Sequence, residues 1–208
     1  MHILWIAIAV VALLVTLVAI LSALAPTKIA YTESVTVNAS SADVYDDIRL
    51  QRRLMRWSAW PQETGSKCAV DTAHAEPKAD GEVGARTVFY SKKGKRIGHQ
   101  AIVRLEPGRE VEMTLEGAGP PHSPTMTFEL MPQANEQTRV HLHFENRFPR
   151  PFNAVWHFFG LSRWTRRMHV KDLEGLKAFC EPPHRDATGR EVGRPPQGQN
   201  PFELTGQH

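Results

Sequence analysis

The chain has 208 residues, with 25 Lys or Arg against 22 Asp or Glu, so its formal net charge at pH 7 is only +3. This near balance, with no Lys/Arg block interleaved with aromatic residues, argues against nucleic acid as a partner. The mean hydropathy of −0.35 and the mixture of aromatic and charged residues are typical of a globular domain.

The first segment of the chain is strongly apolar. Residues 3–25 carry no charge, and as a helix at about 1.5 Å per residue they would exceed the hydrocarbon thickness of about 30 Å. We predict a retained transmembrane anchor. The alternative, a cleaved signal peptide, fits less well because no basic region precedes the run and Pro26 directly follows the small residues Ala23 and Ala25.

Three further segments follow the anchor. Residues 26–30 form a juxtamembrane joint, 31–181 a folded domain, and 182–208 a tail rich in Pro and Gly that we expect to be disordered. Basic residues follow the anchor, beginning with Lys28, whereas none precedes it. The positive-inside tendency therefore favours a single-pass membrane protein whose domain faces the cytoplasm.

Within the domain, apolar and polar residues alternate in several strand-length runs, as in an antiparallel sheet covered on one face. A short helix is predicted over 44–50, capped by Ser40, and a long one over 162–179. Together these elements indicate an α+β fold with the last helix across the sheet. The residues predicted to face inward are Ile97, His99, Ala101, Val103, Leu105, Val111, Met113, Leu115, Met126, Phe128, Leu130, Val140, Leu142 and Phe144.

Four short segments, in this order, resemble the polyketide cyclase/dehydrase branch of the START-like superfamily, also called SRPBCC. They are residues 35–40, the tryptophan turn at 57–60, the element at 81–84 and the helical segment 171–176. The resemblance implies a helix-grip fold, in which a curved antiparallel sheet encloses a C-terminal helix around an apolar cavity. Members often carry a Pro in the tryptophan turn, where this chain has Ala59.

The cavity implied by the resemblance would bind a hydrophobic small molecule. The predicted ligand-binding residues are Trp57, Trp60, His99, Met113, Met126 and Trp164, although aromatic and Met side chains at such spacings also simply fill cores. His99 is the one ionisable residue that the alternation places inward. It is therefore a weak candidate for a general acid or base, against the alternative of a neutral, hydrogen-bonded core histidine.

Other polar clusters are weaker signals. His141 and His143 share a strand face and would need Glu145 to begin a metal site, so a solvated face is the preferred interpretation, and no metal or other cofactor is predicted. The arginines of a basic, aromatic stretch, Arg163, Arg166 and Arg167, are predicted to contact the membrane; solvation beside a packed helix is the alternative. Cys68 and Cys180 can be paired or free.

Three hypotheses about function follow. The preferred one is a membrane-anchored protein that binds a lipid or an isoprenoid-like molecule in the helix-grip cavity. The second is an enzyme of cyclase or dehydratase type that uses His99 as acid or base. The third is a structural or interaction module whose core is filled and binds nothing. The oligomeric state is left open.

Overall fold

The computed structural model of the chain describes residues 2–73, 77–117 and 123–181 and two short strands at 184–185 and 191–192. In chain order its elements are α1 His2–Leu24, β1 Lys28–Val37, α2 Ser41–Arg49, α3 Gln51–Trp57, α4 Ala59–Thr64, β2 Lys67–Val70, β3 Arg86–Tyr90, β4 Arg96–Glu106, β5 Glu110–Gly117, β6 Thr125–Pro132, β7 Thr138–Arg147, α5 Phe152–Phe158, α6 Leu161–Cys180, β8 His184–Arg185 and β9 Glu191–Val192.

Seven strands form one antiparallel, curved sheet in the order β1-β7-β6-β5-β4-β3-β2. The first strand pairs with the last over its full length, from Lys28 opposite Arg147 to Val37 opposite Thr138. The first and last strands of the sheet therefore lie side by side at one edge, and the Lys28–Arg147 end of this pair lies close to the end of α1. The side chains predicted to face inward on β5, β6 and β7 are buried or half-buried against the core, which confirms the alternation in these strands.

The alternation prediction for β4 is wrong in its middle. Gln100 and Ile102 face the core, whereas His99 and Val103 do not. Two irregularities cause this difference: the pairing skips Ile97 opposite β3 and Val103 opposite β5. Each skipped residue inverts the phase of the strand, because a one-residue slip moves every following side chain to the other face.

Helix α6 crosses the inner face of the sheet, as predicted from its helical spacing. Its side chains Met168, Leu173 and Leu176 are buried on the face that packs against the rest of the domain. Two acid–base residues, His169 and Asp172, are buried on the same side of the helix, although the sequence pattern assigned them no inward position. The observed order of elements is that of a helix-grip fold.

The start of the first domain helix also matches the sequence prediction. Ser40 is the N-cap of α2, and its hydroxyl oxygen accepts a hydrogen bond from the Asp43 backbone N–H at 3.2 Å. The Ser40 hydroxyl donates in turn to the Asp43 carboxylate at 2.6 Å. This reciprocal arrangement satisfies a backbone donor that the helix leaves without an internal partner.

Helix α1 is long and apolar enough to cross a membrane, judged by its length and composition. Its last turn is attached to α5 by hydrogen bonds that join distant parts of the chain. Asn153 Nδ2 donates to the carbonyl oxygens of Ser22 at 2.8 Å and Ala25 at 2.9 Å, and the Ser22 hydroxyl donates to Asn153 Oδ1 at 2.9 Å. Arg150 Nε donates to the Ser22 carbonyl at 3.3 Å. These contacts satisfy carbonyl groups at a helix C-terminus that have no partner inside the helix.

Both cysteines are free thiols: Cys68 is buried and Cys180 is half-buried. Burial raises the pKa of the Cys68 thiol to about 12 and also raises that of Cys180.

In the segment predicted as a disordered tail, strands β8 and β9 pair with each other. The rest of 182–208 lies outside the described residues, so that prediction stays untested there.

Candidate functional site

A cavity of about 130 Å³ lies between α6, the inner face of the sheet and the short helices. Most of the side chains around it are aromatic or aliphatic, as expected for a site that takes an apolar ligand. The apolar lining residues are Leu54, Met55, Trp57, Trp60, Phe89, Leu115, Pro124, Met126, Phe128, Phe144, Trp156 and Trp164. The polar lining residues are Ser58, Gln100, Asn146, Thr165, His169 and Asp172.

The tryptophan turn is a break between two helices. Ser58 has extended backbone angles and ends α3, so that Trp57 and Trp60 approach the cavity from different helices. The Trp57 indole N–H donates to the Asp47 carbonyl at 3.0 Å, and its ring meets Phe128 edge to face at 6.2 Å. These contacts fix the indole and place its apolar body at the cavity wall.

Asp172 attaches α6 to the tryptophan turn. Its Oδ1 accepts hydrogen bonds from the Ser58 hydroxyl at 2.9 Å and from the Ala59 backbone N–H at 2.7 Å. Burial raises the pKa of this carboxyl to about 6, against the opposing effect of the hydrogen bonds. The carboxylate lies at the N-terminus of α4, where it occupies donors that the helix cannot satisfy internally.

His169 pairs with Tyr31 across the space between α6 and β1. The Tyr31 hydroxyl oxygen lies 2.9 Å from His169 Nδ1, and the imidazole meets the Phe144 ring edge to face at 4.7 Å. Burial lowers the pKa of His169 to about 4, so the ring is neutral at pH 7. Burial, with a contribution from Glu33, raises the pKa of Tyr31.

A second cluster of polar side chains connects β3, β4 and α3 by hydrogen bonds. Gln51 Oε1 accepts hydrogen bonds from the Thr87 hydroxyl at 3.0 Å and from Gln100 Nε2 at 3.2 Å. Gln100 Nε2 also lies 2.9 Å from the Met113 sulfur. Because Gln51 is fully buried, these bonds stabilise the polar part of the core and fix the Gln100 side chain at the cavity.

Four of the six predicted ligand-binding residues line the cavity: Trp57, Trp60, Met126 and Trp164. Trp60 and Trp164 also meet edge to face at 5.4 Å. Met113 is fully buried in the core and contacts Gln100, but it does not line the cavity.

The structure contradicts the predicted position of His99. It lies on the outer face of the sheet, with its Nε2 3.4 Å from a Glu116 oxygen, because the skipped residues of β4 place its neighbour Gln100 inward. The cavity histidine is His169. The sequence signal that could have identified it is the helical spacing of Thr165, His169 and Asp172 before the buried Leu176.

The predicted face of His141 and His143 is confirmed as an outer face of the sheet. Their rings stack at 6.1 Å, and His143 Nδ1 lies 2.8 Å from the Thr32 hydroxyl. Glu145 pairs instead with Lys28 at 2.8 Å. Within the described residues, no group of three His, Cys, Asp or Glu side chains is placed to hold a metal ion.

All three predicted membrane-contact arginines are exposed on α6. Arg166 forms an ion pair with Glu33, and its guanidinium lies 5.8 Å from the centre of the Tyr31 ring. Arg163 and Arg167 lie at exposed positions near the α5 end of the helix.

The curved sheet, the long helix across it and the apolar cavity between them define a helix-grip protein. The sequence matches the family described as polyketide cyclase/dehydrase and lipid transport over residues 28–181. The chain therefore belongs to this family.

Solved structures similar to the chain have the same fold at low sequence identity. A Chromobacterium violaceum protein is 20% identical with a TM-score of 0.53, and the match covers 76% of this chain and 99% of that one. A Nitrosospira multiformis protein is 14% identical with a TM-score of 0.53, covering 74% and 97%. The Aha1 dimer from Colwellia psychrerythraea is 17% identical with a TM-score of 0.50, covering 74% and 96%. Among curated proteins, none matches the sequence.

Proposed function

We propose that the protein is a membrane-anchored binding protein for a hydrophobic small molecule held beneath α6. The observation that carries this proposal is the cavity of about 130 Å³ lined mainly by aromatic and aliphatic side chains. A packed structural module would have no such space, because native cores fill nearly all of their volume. The family description, which includes lipid transport, supports the same function.

The size of the cavity limits what it can enclose. An engineered apolar cavity of about 150 Å³ in another protein binds benzene, so this space takes about one six-membered ring or a short chain. A larger lipid or isoprenoid would leave the rest of its length outside. Trp156 lines the cavity from α5, and we propose that the remainder emerges beside it.

Helix α5 connects the cavity to the proposed membrane anchor. Its Asn153 is hydrogen-bonded to the end of α1, while Phe152, Phe158 and the following Phe159 are exposed, Phe159 by 80%. Exposed aromatic residues beside a membrane helix are typical of segments that lie in the bilayer interface. We therefore place the outer face of α5 in the interface and Trp156 between lipid and cavity. Arg163 and Arg167 would contact anionic headgroups there.

Ligand binding can be measured directly because four of the five tryptophans line the cavity, the exception being Trp5 in α1. We expect the full-length Trp5→Phe protein in nanodiscs to change its tryptophan emission when apolar ligands are added. Thr165→Phe, which adds a ring to the cavity wall, is expected to weaken binding at least tenfold. Val103→Phe, on the exposed outer face, is the matched control and should bind normally.

The unfolding temperatures of the same two variants separate this proposal from the third hypothesis. An open cavity has room for the added ring, so we expect Thr165→Phe to unfold near the temperature of Val103→Phe. In a filled core the added ring would overpack its surroundings and destabilise the domain by about 1–3 kcal/mol. Such a loss of stability, together with no change of emission for any ligand, would replace this proposal with the filled, non-binding module.

The attachment of α1 to α5 leads to a separate prediction about the membrane. A polarity-sensitive probe on Phe158→Cys in nanodiscs is expected to report an apolar environment, and adding Asn153→Leu should make that environment more polar. We expect the native thiols to react more slowly than the introduced one, because Cys68 is buried, Cys180 is half-buried and burial raises the pKa of both. A probe on Asn135→Cys, in the turn after β6, should report water in both backgrounds. Equal readings from the probes at these two positions would contradict interfacial placement.

We also propose that the anchor is retained and that the domain faces the cytoplasm. The hydrogen bonds from Asn153 and Arg150 to the end of α1 support retention, because cleavage after Ala25 would remove their acceptors on Ser22 and Ala25. Two free thiols fit a reducing compartment. Labelling of Asn135→Cys by a membrane-impermeant maleimide should therefore require permeabilised cells. Labelling in intact cells would show that the domain lies on the opposite side of the membrane.

A cyclase-like reaction is the second candidate, and one observation favours it: the buried His169, which lines the cavity, is hydrogen-bonded to the half-buried Tyr31. A neutral imidazole next to a phenol can transfer protons to or from a bound carbonyl compound. His169, not His99, would be the acid or base. Turnover of a poly-β-carbonyl compound that His169→Gln abolishes and His99→Gln preserves would support this function.

A further inference from the structure

One buried polar atom at the cavity has no hydrogen-bond partner within the described structure, Asn146 Oδ1. The Asn146 side chain lines the cavity, and the residue is only 5% exposed. Buried polar atoms in native proteins almost always have a partner, so an unused acceptor facing a cavity calls for a donor from outside the chain. A bound ligand can supply that donor.

The surroundings of Asn146 define where the donor would lie. Asn146 is two residues beyond Phe144 on β7, so the two side chains share the inner face of the sheet. Phe144 in turn contacts the neutral imidazole of His169. Asn146 and His169 therefore form a polar part of the cavity wall where β7 faces α6, and Ser58 and Gln100 are polar lining residues elsewhere.

The charge at the cavity discriminates between ligand classes. Its described lining contains no Lys or Arg, and its only ionisable residues are His169 and Asp172. Asp172 already accepts hydrogen bonds from Ser58 and Ala59. A ligand carboxylate would find no compensating charge there and could not donate to Asn146, whereas a hydroxyl group can both donate and accept.

We propose that the cavity prefers a neutral alcohol to the carboxylate, amine or hydrocarbon of the same size, with the ligand hydroxyl donating to Asn146 Oδ1. This inference rests on the proposed function and adds the class of ligand to it. An ammonium group would also donate, but burying its charge costs more than burying a hydroxyl group. A hydrocarbon would leave the acceptor without a partner.

The probes for the test are four six-membered rings that match the cavity size: cyclohexanol, cyclohexanecarboxylate, cyclohexylamine and methylcyclohexane. Each is titrated into the full-length Trp5→Phe protein in nanodiscs, and affinities are referred to the free aqueous concentration. We expect cyclohexanol to bind about tenfold more tightly than the carboxylate, as one lost hydrogen bond to a buried acceptor predicts. The amine and the hydrocarbon should fall below the alcohol.

Variants at the acceptor separate recognition from general affinity. Asn146→Leu keeps the number and branching of the side-chain heavy atoms but removes the acceptor, so methylcyclohexane should bind at least as tightly as cyclohexanol. Asn146→Asp retains an acceptor oxygen and should keep the preference for the alcohol while excluding the carboxylate further. Thr127→Val makes a similar polar-to-apolar change on the outer face of β6 and should leave every affinity unchanged.

Two results would overturn the inference while leaving the proposed function intact: the carboxylate or the amine binding as tightly as the alcohol, or Asn146→Leu retaining the preference for the alcohol. If none of the four rings and no longer ligand alters the emission, the proposed function itself is wrong and the inference falls with it. If Asn146→Leu does not fold, the ratio of alcohol affinity to carboxylate affinity decides: it should be larger for Asn146→Asp than for the unsubstituted protein, and an unchanged ratio would overturn the inference.

Discussion

Replacing Gly175 with alanine is expected to destabilise the domain strongly, although alanine favours helix formation. Gly175 lies in α6, where a Cβ atom would come within 2.2 Å of the Trp57 carbonyl oxygen. That atom belongs to the backbone at the end of α3, so it cannot rotate away, and the two helices would have to separate. The close approach explains why a glycine occupies an interior position of a 20-residue helix.

Two opposing effects set the size of the change. Glycine costs about 1 kcal/mol relative to alanine inside a helix, which would favour the variant. Overpacking a contact between rigid elements costs about 1–3 kcal/mol and sometimes more, and separation of α3 from α6 would also disturb Trp57 and the Asp172 hydrogen bonds. We expect a net loss of about 2 kcal/mol, equivalent to a decrease in Tm of about 4–8 °C for a domain of this size.

Thermal unfolding of the full-length protein, followed by tryptophan emission, measures this change. Glu174→Ala alters the neighbouring exposed residue of the same helix and should stay within about 0.5 kcal/mol of the original protein. Gly175→Ala should also weaken ligand binding because Trp57 lines the cavity. A variant as stable as the original would mean that α6 does not approach Trp57 as closely as described.

The sequence pattern was sufficient for most of the fold. In β5, β6 and β7 the alternation is uninterrupted, so residues such as Met126 and Leu142 were placed correctly from periodicity alone. The helical spacing of residues 162–179 identified the helix that covers the sheet. Both signals are local, and each is long enough to outweigh single exceptions.

The positions of His99, His169 and Asp172 were not predicted correctly because they depend on contacts between distant parts of the chain, which a local sequence pattern does not reveal. The skipped residues Ile97 and Val103 of β4 depend on pairing with strands β3 and β5, so the alternation alone placed His99 inward. His169 and Asp172 are polar residues in a buried stripe, and only their partners Tyr31 and Ser58, more than 100 positions away, make that burial acceptable. The bond between Asn153 and the end of α1 is equally non-local.

Opposite pH dependences are expected when His169 and Asp172 are replaced separately. The folded-state pKa of Asp172 is about 6, above its ordinary value of 3.8. Its contribution to stability is therefore complete below pH 3.8 and is lost as the pH rises through 6. The folded-state pKa of His169 is about 4, below its ordinary value of 6.5. Its contribution is complete above pH 6.5 and is lost as the pH falls through 4.

The two contributions are similar in size, about 3 kcal/mol each, because each pKa is displaced by slightly more than two pH units. In the unmodified protein they largely cancel between pH 4 and 6.5. Asp172→Asn keeps an oxygen for the Ser58 and Ala59 donors but no longer titrates, so the free energy of unfolding should decrease towards acid by about 3 kcal/mol relative to the unmodified protein. His169→Gln should produce the opposite slope.

Denaturant unfolding at several pH values between 4 and 7.5 measures both slopes, and the double variant should return to the pH profile of the unmodified protein. Glu174→Gln removes an exposed carboxyl on the same helix and is the control for other titrating groups. Asp172→Ala also loses the titrating carboxyl but leaves the Ser58 and Ala59 donors without a partner, so it should be less stable than Asp172→Asn by about 1–3 kcal/mol at every pH. Parallel profiles for Asp172→Asn and His169→Gln would mean that these two side chains are not both buried on the inner face of α6. The polar lining assigned to the cavity would then lose its basis.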